Sequence, residues 1–465
     1  MSKATSKKLT CEPKSCWEVY NTEKDLKAMD ALAKQYVEFL STCKTERETI
    51  EYAIKRLESA GFSTDATTGK FYKVLQDKTL FVARKGKKSL AEGLHLIGAH
   101  ADTPRIDFKQ HPLYETCGVG QAKTHYYGGI RKYQWLSRPL ALHGVIVKED
   151  GKKVIVNIGE DPSDPVFTIA DLLPHLAQGQ AKKVLSEAFD AEKLNIILAH
   201  RPVEVKDPED KDAPKDKIKQ RVLNILNDKY DIHEEDLYSA ELQAVPAGPA
   251  RMVGLDESII GGYGQDDRIC CFAALEALIE TDVADYTQVV VLWDKEEIGS
   301  EGSTGAKSRF LEYCIEDIIE AWDPKVRFRD VMLATRALSS DVHGAMDPDY
   351  QDVHEKLNSA TLGYGPCFCK FTGHRGKYEA NDAHPEYLGW LRGVMNSAGV
   401  PWQMAELGKV DHGGGGTVAM YLAMYGMNIV DFGPALLAMH SPFELASKAD
   451  LYATVCAFSA FLEAK

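Results

Sequence analysis

Leu94-His95-Leu96-Ile97-Gly98-Ala99-His100-Ala101-Asp102 is an apolar run that stops on an imidazole and a carboxylate. Residues 94–100 read as a strand buried on both faces, as in parallel or mixed sheets, and the ends of such strands are where α/β enzymes place their chemistry. Four more stretches offer similar groups: Gln265-Asp266-Asp267-Arg268, Glu296-Glu297, Ser340-Asp341 and Met439-His440. Together they supply imidazole and carboxylate ligands suited to a pair of divalent ions, with one carboxylate left over as a base. That is the outline of a metal hydrolase.

A chain of 465 residues, 44% of them apolar, has room for two or three domains with substantial cores. The formal net charge of −14 disfavours nucleic acid or an anionic membrane as the main partner. Residues 1–18 mix Lys, Ser and Thr without an apolar core, so no signal peptide is read there, and no uncharged run is long enough to span a bilayer. The ten cysteines lack zinc-finger spacing and are expected as free thiols in a cytoplasmic protein.

The rhythm along the chain predicts a catalytic domain split in two. Residues 15–60 are helical in pattern, with Leu26, Met29, Leu32, Tyr36, Phe39 and Leu40 at three- and four-residue spacing, and residues 71–83 alternate as a short strand. Between 103 and 249 the character shifts to short alternating segments (140–148, 153–158, 194–198) with glycine turns, and residues 203–219 read as a charged, exposed loop. No ligand candidate lies there, so 103–249 is taken as an inserted, mainly β domain between 1–102 and 250–465. After Gly264 helices are expected over 267–280, from 302–313, over 387–397 and, amphipathic, over 448–465. Strands are expected at 288–293, 331–335 and 428–432.

Each ligand stretch has a plain and a chemical reading. Asp102 is placed to orient His100 from behind, although a His-x-Asp pair alone is a weak signal. Asp266-Asp267 follows Gly261-Gly262-Tyr263-Gly264, read as a flexible turn; the pair could cap a helix or bridge two metals about 3.5–4 Å apart. Glu296-Glu297 carries the most weight, because adjacent acids at the end of a buried strand are costly unless cations neutralise them. One would ligate and the other act as general base. Asp341 could complete one ion's shell. His343 is read as a surface imidazole, and His440 gains meaning only in the company of the others.

The stretches Gly98-Ala99-His100-Ala101-Asp102-Thr103-Pro104, Tyr263-Gly264-Gln265-Asp266-Asp267-Arg268, Asp294-Lys295-Glu296-Glu297-Ile298-Gly299-Ser300, Ser339-Ser340-Asp341 and Leu437-Ala438-Met439-His440-Ser441-Pro442-Phe443-Glu444 resemble, in order and wording, the aspartyl aminopeptidase and vacuolar aminopeptidase-I family of dinuclear metallopeptidases. The resemblance runs from about residue 15 to the C-terminus. It implies an α/β fold: a split peptidase domain with a central mixed β-sheet flanked by helices, and an inserted β-rich dimerisation domain. It implies one ion on His100, Asp266 and Asp341, a second on Asp266, Glu297 and His440, Glu296 as general base and Asp102 as the group that orients His100. The ions would be zinc, with manganese or cobalt as substitutes, and the assembly a tetrahedral dodecamer built from dimers. Leu173-Pro174-His175-Leu176-Ala177 resembles a family segment that reaches a neighbouring subunit's site, which would bring His175 to the developing oxyanion.

Three stretches depart from the family: Val342-His343-Gly344-Ala345-Met346-Asp347, Gly413-Gly414-Gly415-Gly416-Thr417 and residues 370–382. They bear on which side chain the substrate presents. Lys370, His374, Arg375 and Lys377 form a basic cluster that could pair with an acidic side chain at a peptide's N-terminus, or be a solvated loop. The expected reaction is removal of one N-terminal residue from a peptide. A dinuclear deacylase or dipeptidase is the alternative; a scaffold is disfavoured because every ligand and Glu296 are present, and a phosphatase because no phosphate-cradling glycine loop adjoins the ligands.

Overall fold

The computed structural model describes residues 9–205 and 213–465, which form two compact units. The first comprises the described residues within Met1–Asp102, Ala250–Met439 and Phe443–Lys465; the second comprises those within Thr103–Pro249 and His440–Pro442. His440, read with the second catalytic part, is thus counted with the inserted unit.

The first unit is built on an eight-stranded sheet in the order Lys70–Leu75, Thr79–Arg84, Thr287–Trp293, Leu94–His100, Arg336–Ser339, Asn428–Gly433, Cys367–Cys369, Gln403–Met404. The four strands from Thr287–Trp293 to Asn428–Gly433 are mutually parallel, with His100 in register with Trp293 and Gly98 with Ser339. Every residue of Leu94–His100 is buried. Ile97 and Ala99 join the larger hydrophobic cluster and Leu94 and Leu96 the other, as the two-residue period of a strand requires. A smaller five-stranded sheet runs Arg251–Val253, Ile259–Gly262, Glu444–Ser447, Ala435–Leu437, His343–Gly344.

The N-terminal helical pattern resolves into Cys16–Val19, Glu23–Thr42 and Glu46–Ser59, divided where Ser15, Thr22 and Thr45 accept backbone N–H bonds as N-caps. The helix Gln265–Glu280 is buried on all sides as far as Leu278. The terminal helix Lys448–Leu462 packs against it and is buried round most of its circumference, with Lys448, Tyr452, Cys456, Ser459 and Ala460 partly exposed along one side.

Three further expectations change. Residues 331–335 are not a strand: Phe328–Ala334 is helical, and the strand is Arg336–Ser339. A short apolar run fits either element, and here the Thr335 hydroxyl closes the helix by donating to the Val331 carbonyl oxygen at 2.8 Å. The helix expected from 302–313 begins only at Phe310. Gly261 and Gly262 are strand residues, required for close approach rather than flexibility. A Cβ on Gly261 would lie 2.4 Å from the Phe443 ring, and one on Gly262 2.5 Å from Leu40.

The second unit is a six-stranded antiparallel sheet, Lys153–Ile158, Leu140–Val147, Glu241–Pro246, Arg105–Thr116, Val119–Tyr127, Ile196–Ala199. The helix Lys217–Tyr230 lies on it through Ile218 and Val222, and the Glu115 carboxylate accepts from the N–H groups of Ile218 and Lys219 at 2.6 and 2.9 Å. Part of the charged run read as a loop, 206–212, lies outside the described residues, and its end already belongs to this helix. The cysteines of the described chain are free thiols, with Cys11 and Cys117 exposed.

Candidate metal centre

The carboxyl ends of the parallel strands converge on His100. Its imidazole is 2% exposed. From Nε2, Asp266 Oδ1 lies at 3.3 Å, Asp341 Oδ1 at 3.6 Å and Glu296 Oε2 at 4.0 Å. Two sets of donors draw together here: His100 with Asp267 and Asp341, and His100 with Asp266 and Glu297, each with one donor atom per residue within 4.8 Å of the others. Donors held about 2.1 Å from a tetrahedral zinc ion lie about 3.4 Å apart, so the separations around Nε2 suit a cation in their midst.

Each donor is delivered by a distinct device. His100 ends its strand, and its backbone N–H donates to Asp267 Oδ2 at 3.3 Å. Glu296 and Glu297 begin a tight turn after Thr287–Trp293, entered through Lys295 at φ 67° and left through Gly299 at φ 90°. Asp341 follows the strand Arg336–Ser339. Asp266 and Asp267 open the helix Gln265–Glu280 with non-helical backbone angles and a cis peptide bond between them.

Asp102 does more than the sequence reading gave it. His100 Nδ1 is closer to its carbonyl oxygen, 3.0 Å, than to its carboxylate, 3.4 Å. The carboxylate instead accepts from Glu296 N at 3.1 Å and Glu297 N at 3.2 Å, holding the acidic turn. A proton on Nδ1 directed at the Asp102 carbonyl leaves Nε2 as the nitrogen facing the carboxylates.

The electrostatics say what the cluster lacks. Burial pushes the Glu296 carboxyl up to about 8, helped by Asp341, Asp102 and Asp266 and opposed by His100. Burial and Asp341 hold Asp267 well above the usual range, and burial raises Asp341 too. Burial disfavours a charged His100, yet Asp102, Asp266 and Asp341 outweigh it and hold the imidazole well above its ordinary value. One imidazolium cannot balance so many buried acids, and divalent cations would.

Neither set of donors includes the remaining candidates. His440, in the inserted unit, has Nδ1 2.9 Å from the Gly129 carbonyl oxygen, an arrangement that directs the lone pair of a neutral ring to Nε2. His175 is exposed in a short turn, Pro174–Leu176, of the same unit. In the basic cluster, Lys370 and Lys377 both pair with Asp382, at 2.7 and 2.8 Å, so one carboxylate partly neutralises two of its cations. His374 and Arg375 line a surface cavity with Tyr378 and Asp411. His343 is buried, not on the surface, and burial lowers its imidazole to about 4.

Sequence reasoning named Asp267 only in its pair with Asp266 and gave it no ligand role of its own, and it did not single out Asp431. The latter is buried in the strand Asn428–Gly433, accepts from the Thr417 hydroxyl at 2.6 Å, and is raised by burial to about 7. Its signal was an acid inside an otherwise apolar strand.

Residues 39–462 match the Peptidase M18 family, aminopeptidase I zinc metalloprotease. A probable M18 family aminopeptidase 1 of Clostridium acetobutylicum is 47% identical over 463 residues, covering 97% of this chain and 98% of that protein. The crystal structure of an M18-family aminopeptidase from Thermotoga maritima matches with a TM-score of 0.91 at 44% identity, over 98% of this chain and all of that one. The fold likeness extends to the mApe1 dodecamer of S. cerevisiae, with a TM-score of 0.74 at 22% identity over 94% of this chain and 97% of that one.

Proposed function

We propose a two-ion hydrolytic site for this chain, which belongs to the M18 family of aminopeptidase I zinc metalloproteases. The observation that carries the reading is the crowd of buried and half-buried carboxylates around His100 Nε2, at separations that suit shared coordination. His100, Asp266 and Asp341 would hold one ion, and Asp266, Glu297 and His440 the other, both zinc, with manganese or cobalt able to substitute. Bound there, the ions would polarise the scissile carbonyl and lower the pKa of a water molecule toward 7.

The chain's own residues do the rest. Glu296 is the general base: it takes the proton of the attacking water and returns it to the departing amine. Asp102 keeps Glu296 and Glu297 in place through their backbone N–H groups. His175, from a second copy of the chain, donates to the oxyanion, so the inserted domain dimerises and the site is complete only in an oligomer, a tetrahedral dodecamer built from dimers. Exposure of His175 and the dodecameric fold relative support this assembly. The pairing of Lys370 and Lys377 with Asp382 favours a neutral residue over an acidic one at the substrate's N-terminus.

The test is a screen of aminoacyl chromogenic substrates carrying Asp, Glu, Leu and Lys, with zinc, manganese or cobalt added. Release of Leu ahead of Asp supports the reading, preference for Asp reverses the specificity, and activity only on N-blocked substrates overturns the reaction class. Glu297→Ala is expected to lower bound metal by about one ion per subunit, measured by elemental analysis.

A further inference from the structure

Glu444 is a second buried carboxylate that touches an acidic ligand turn through the backbone. It is 1% exposed and opens the strand Glu444–Ser447, paired in register with Gly262. Its Oε2 accepts from Gln265 N at 2.6 Å and from Asp266 N at 3.2 Å. The Gln265 side-chain amide closes the knot, donating to the Glu444 carbonyl oxygen at 2.6 Å and to that of Ile260 at 3.1 Å.

The backbone is built to admit this contact. Gly264 sits at φ 77°, a left-handed conformation that favours glycine, and turns the chain just ahead of Gln265. Phe443 occupies the space left by the missing side chain of Gly261, which fixes the register of Glu444. The carboxylate therefore satisfies N–H groups at a helix start that the helix cannot pair itself, as Asp102 does for Glu296 and Glu297.

We infer that Glu444 is the positioning residue for Asp266, aiming its carboxylate at the ion-binding cluster by gripping the N–H groups of Gln265 and Asp266. Asp266 has non-helical angles, φ −81° and ψ 107°, that an ordinary helix start would not impose. The grip on its own N–H and on that of its neighbour holds it there. The inference rests on the reading of Asp266 as a metal ligand. Glu444 itself need not touch metal or substrate.

The test uses the full-length chain, with zinc and cobalt as probes. Glu444→Asp keeps the charge but withdraws the oxygens by about 1.5 Å, one C–C bond. Glu444→Gln keeps an acceptor oxygen at full reach. The Asp variant is expected to bind zinc about 10- to 100-fold more weakly, by chelator competition, and to shift the visible absorption bands of bound cobalt; the Gln variant should stay within about threefold of the parent with its cobalt spectrum intact. An Asp variant with parental affinity and spectrum overturns the inference. So does a Gln variant weakened more than about tenfold, and this nearly isosteric variant decides the matter should the Asp variant fail to fold. Asp266→Asn is the control: if it keeps parental zinc affinity, the proposed metal site fails, and Glu444's role fails with it.

Discussion

The strand Leu94–His100 carries an imidazole near each end, both buried, and the two are driven in opposite directions. His95 lies among aromatic rings, stacked on Tyr286 and Phe461 at centroid distances of 4.6 and 5.0 Å, with Trp390 at 5.7 Å. Burial, and then the Arg336 guanidinium, lower it to about 4. His100 is no less buried, but it faces carboxylates that hold it well above its ordinary value. Burial alone therefore does not decide what a histidine does. One end of the strand is a neutral packing element, and the other waits for positive charge.

The sharpest way to break this contrast is Glu296→Gln. It should lower kcat by about 10²–10⁴-fold while leaving zinc content unchanged, measured by steady-state kinetics beside elemental analysis. Retained turnover would remove Glu296 from the role of base.

Stripping the metal should expose the electrostatics of the His100 end. Glu296 has a folded-state pKa raised from 4.5 to about 8, so its contribution to stability is present below 4.5 and lost as pH rises through 8. The chelated chain should melt at lower temperature as pH goes from 5 toward 8, and added zinc should abolish that trend. A chelated melting curve flat over this range would mean the acids are not crowded in solution.

The His95 end should show the reverse slope. Its folded pKa is depressed from 6.5 to about 4, so stability is present above 6.5 and falls as pH drops toward 4, by about 3 kcal/mol in total. His95→Phe keeps a ring in the aromatic box and should remove that acid-side loss, seen in melting temperature against pH. The smallest effect is expected from Arg336→Met. The guanidinium sits 4.3 Å from the Trp390 ring centroid, and its removal should destabilise by about 1 kcal/mol and let the His95 imidazole titrate at higher pH by NMR.

How much of this was legible beforehand differs by element. Residues 94–100 and 288–293 announced themselves because a strand covered on both faces needs an unbroken apolar run. The acid pair Glu296-Glu297 stood out because it ends such a run. Residues 331–335 misled because four or five apolar residues fit a helix turn as well as a strand, and only the pairing of Arg336–Ser339 with both neighbours settles which was meant. The glycines before Asp266 were misread for a related reason: a missing Cβ signals either a turn or a close neighbour, and the neighbours, Phe443 and Leu40, come from distant parts of the chain.

The sequence by itself determined that strands would end in imidazoles and carboxylates, because side-chain chemistry and apolar patterning are local properties. Only the tertiary structure decided which acid faces which imidazole, that the Asp102 carboxylate grips the Glu296–Glu297 turn while its carbonyl meets His100, that Glu444 grips the turn before Asp266, and that His95 lies among aromatic rings where His100 faces carboxylates. Charge, desolvation and hydrogen-bond geometry depend on distances of a few ångströms between residues far apart in the chain, and those distances exist only once the sheet is assembled.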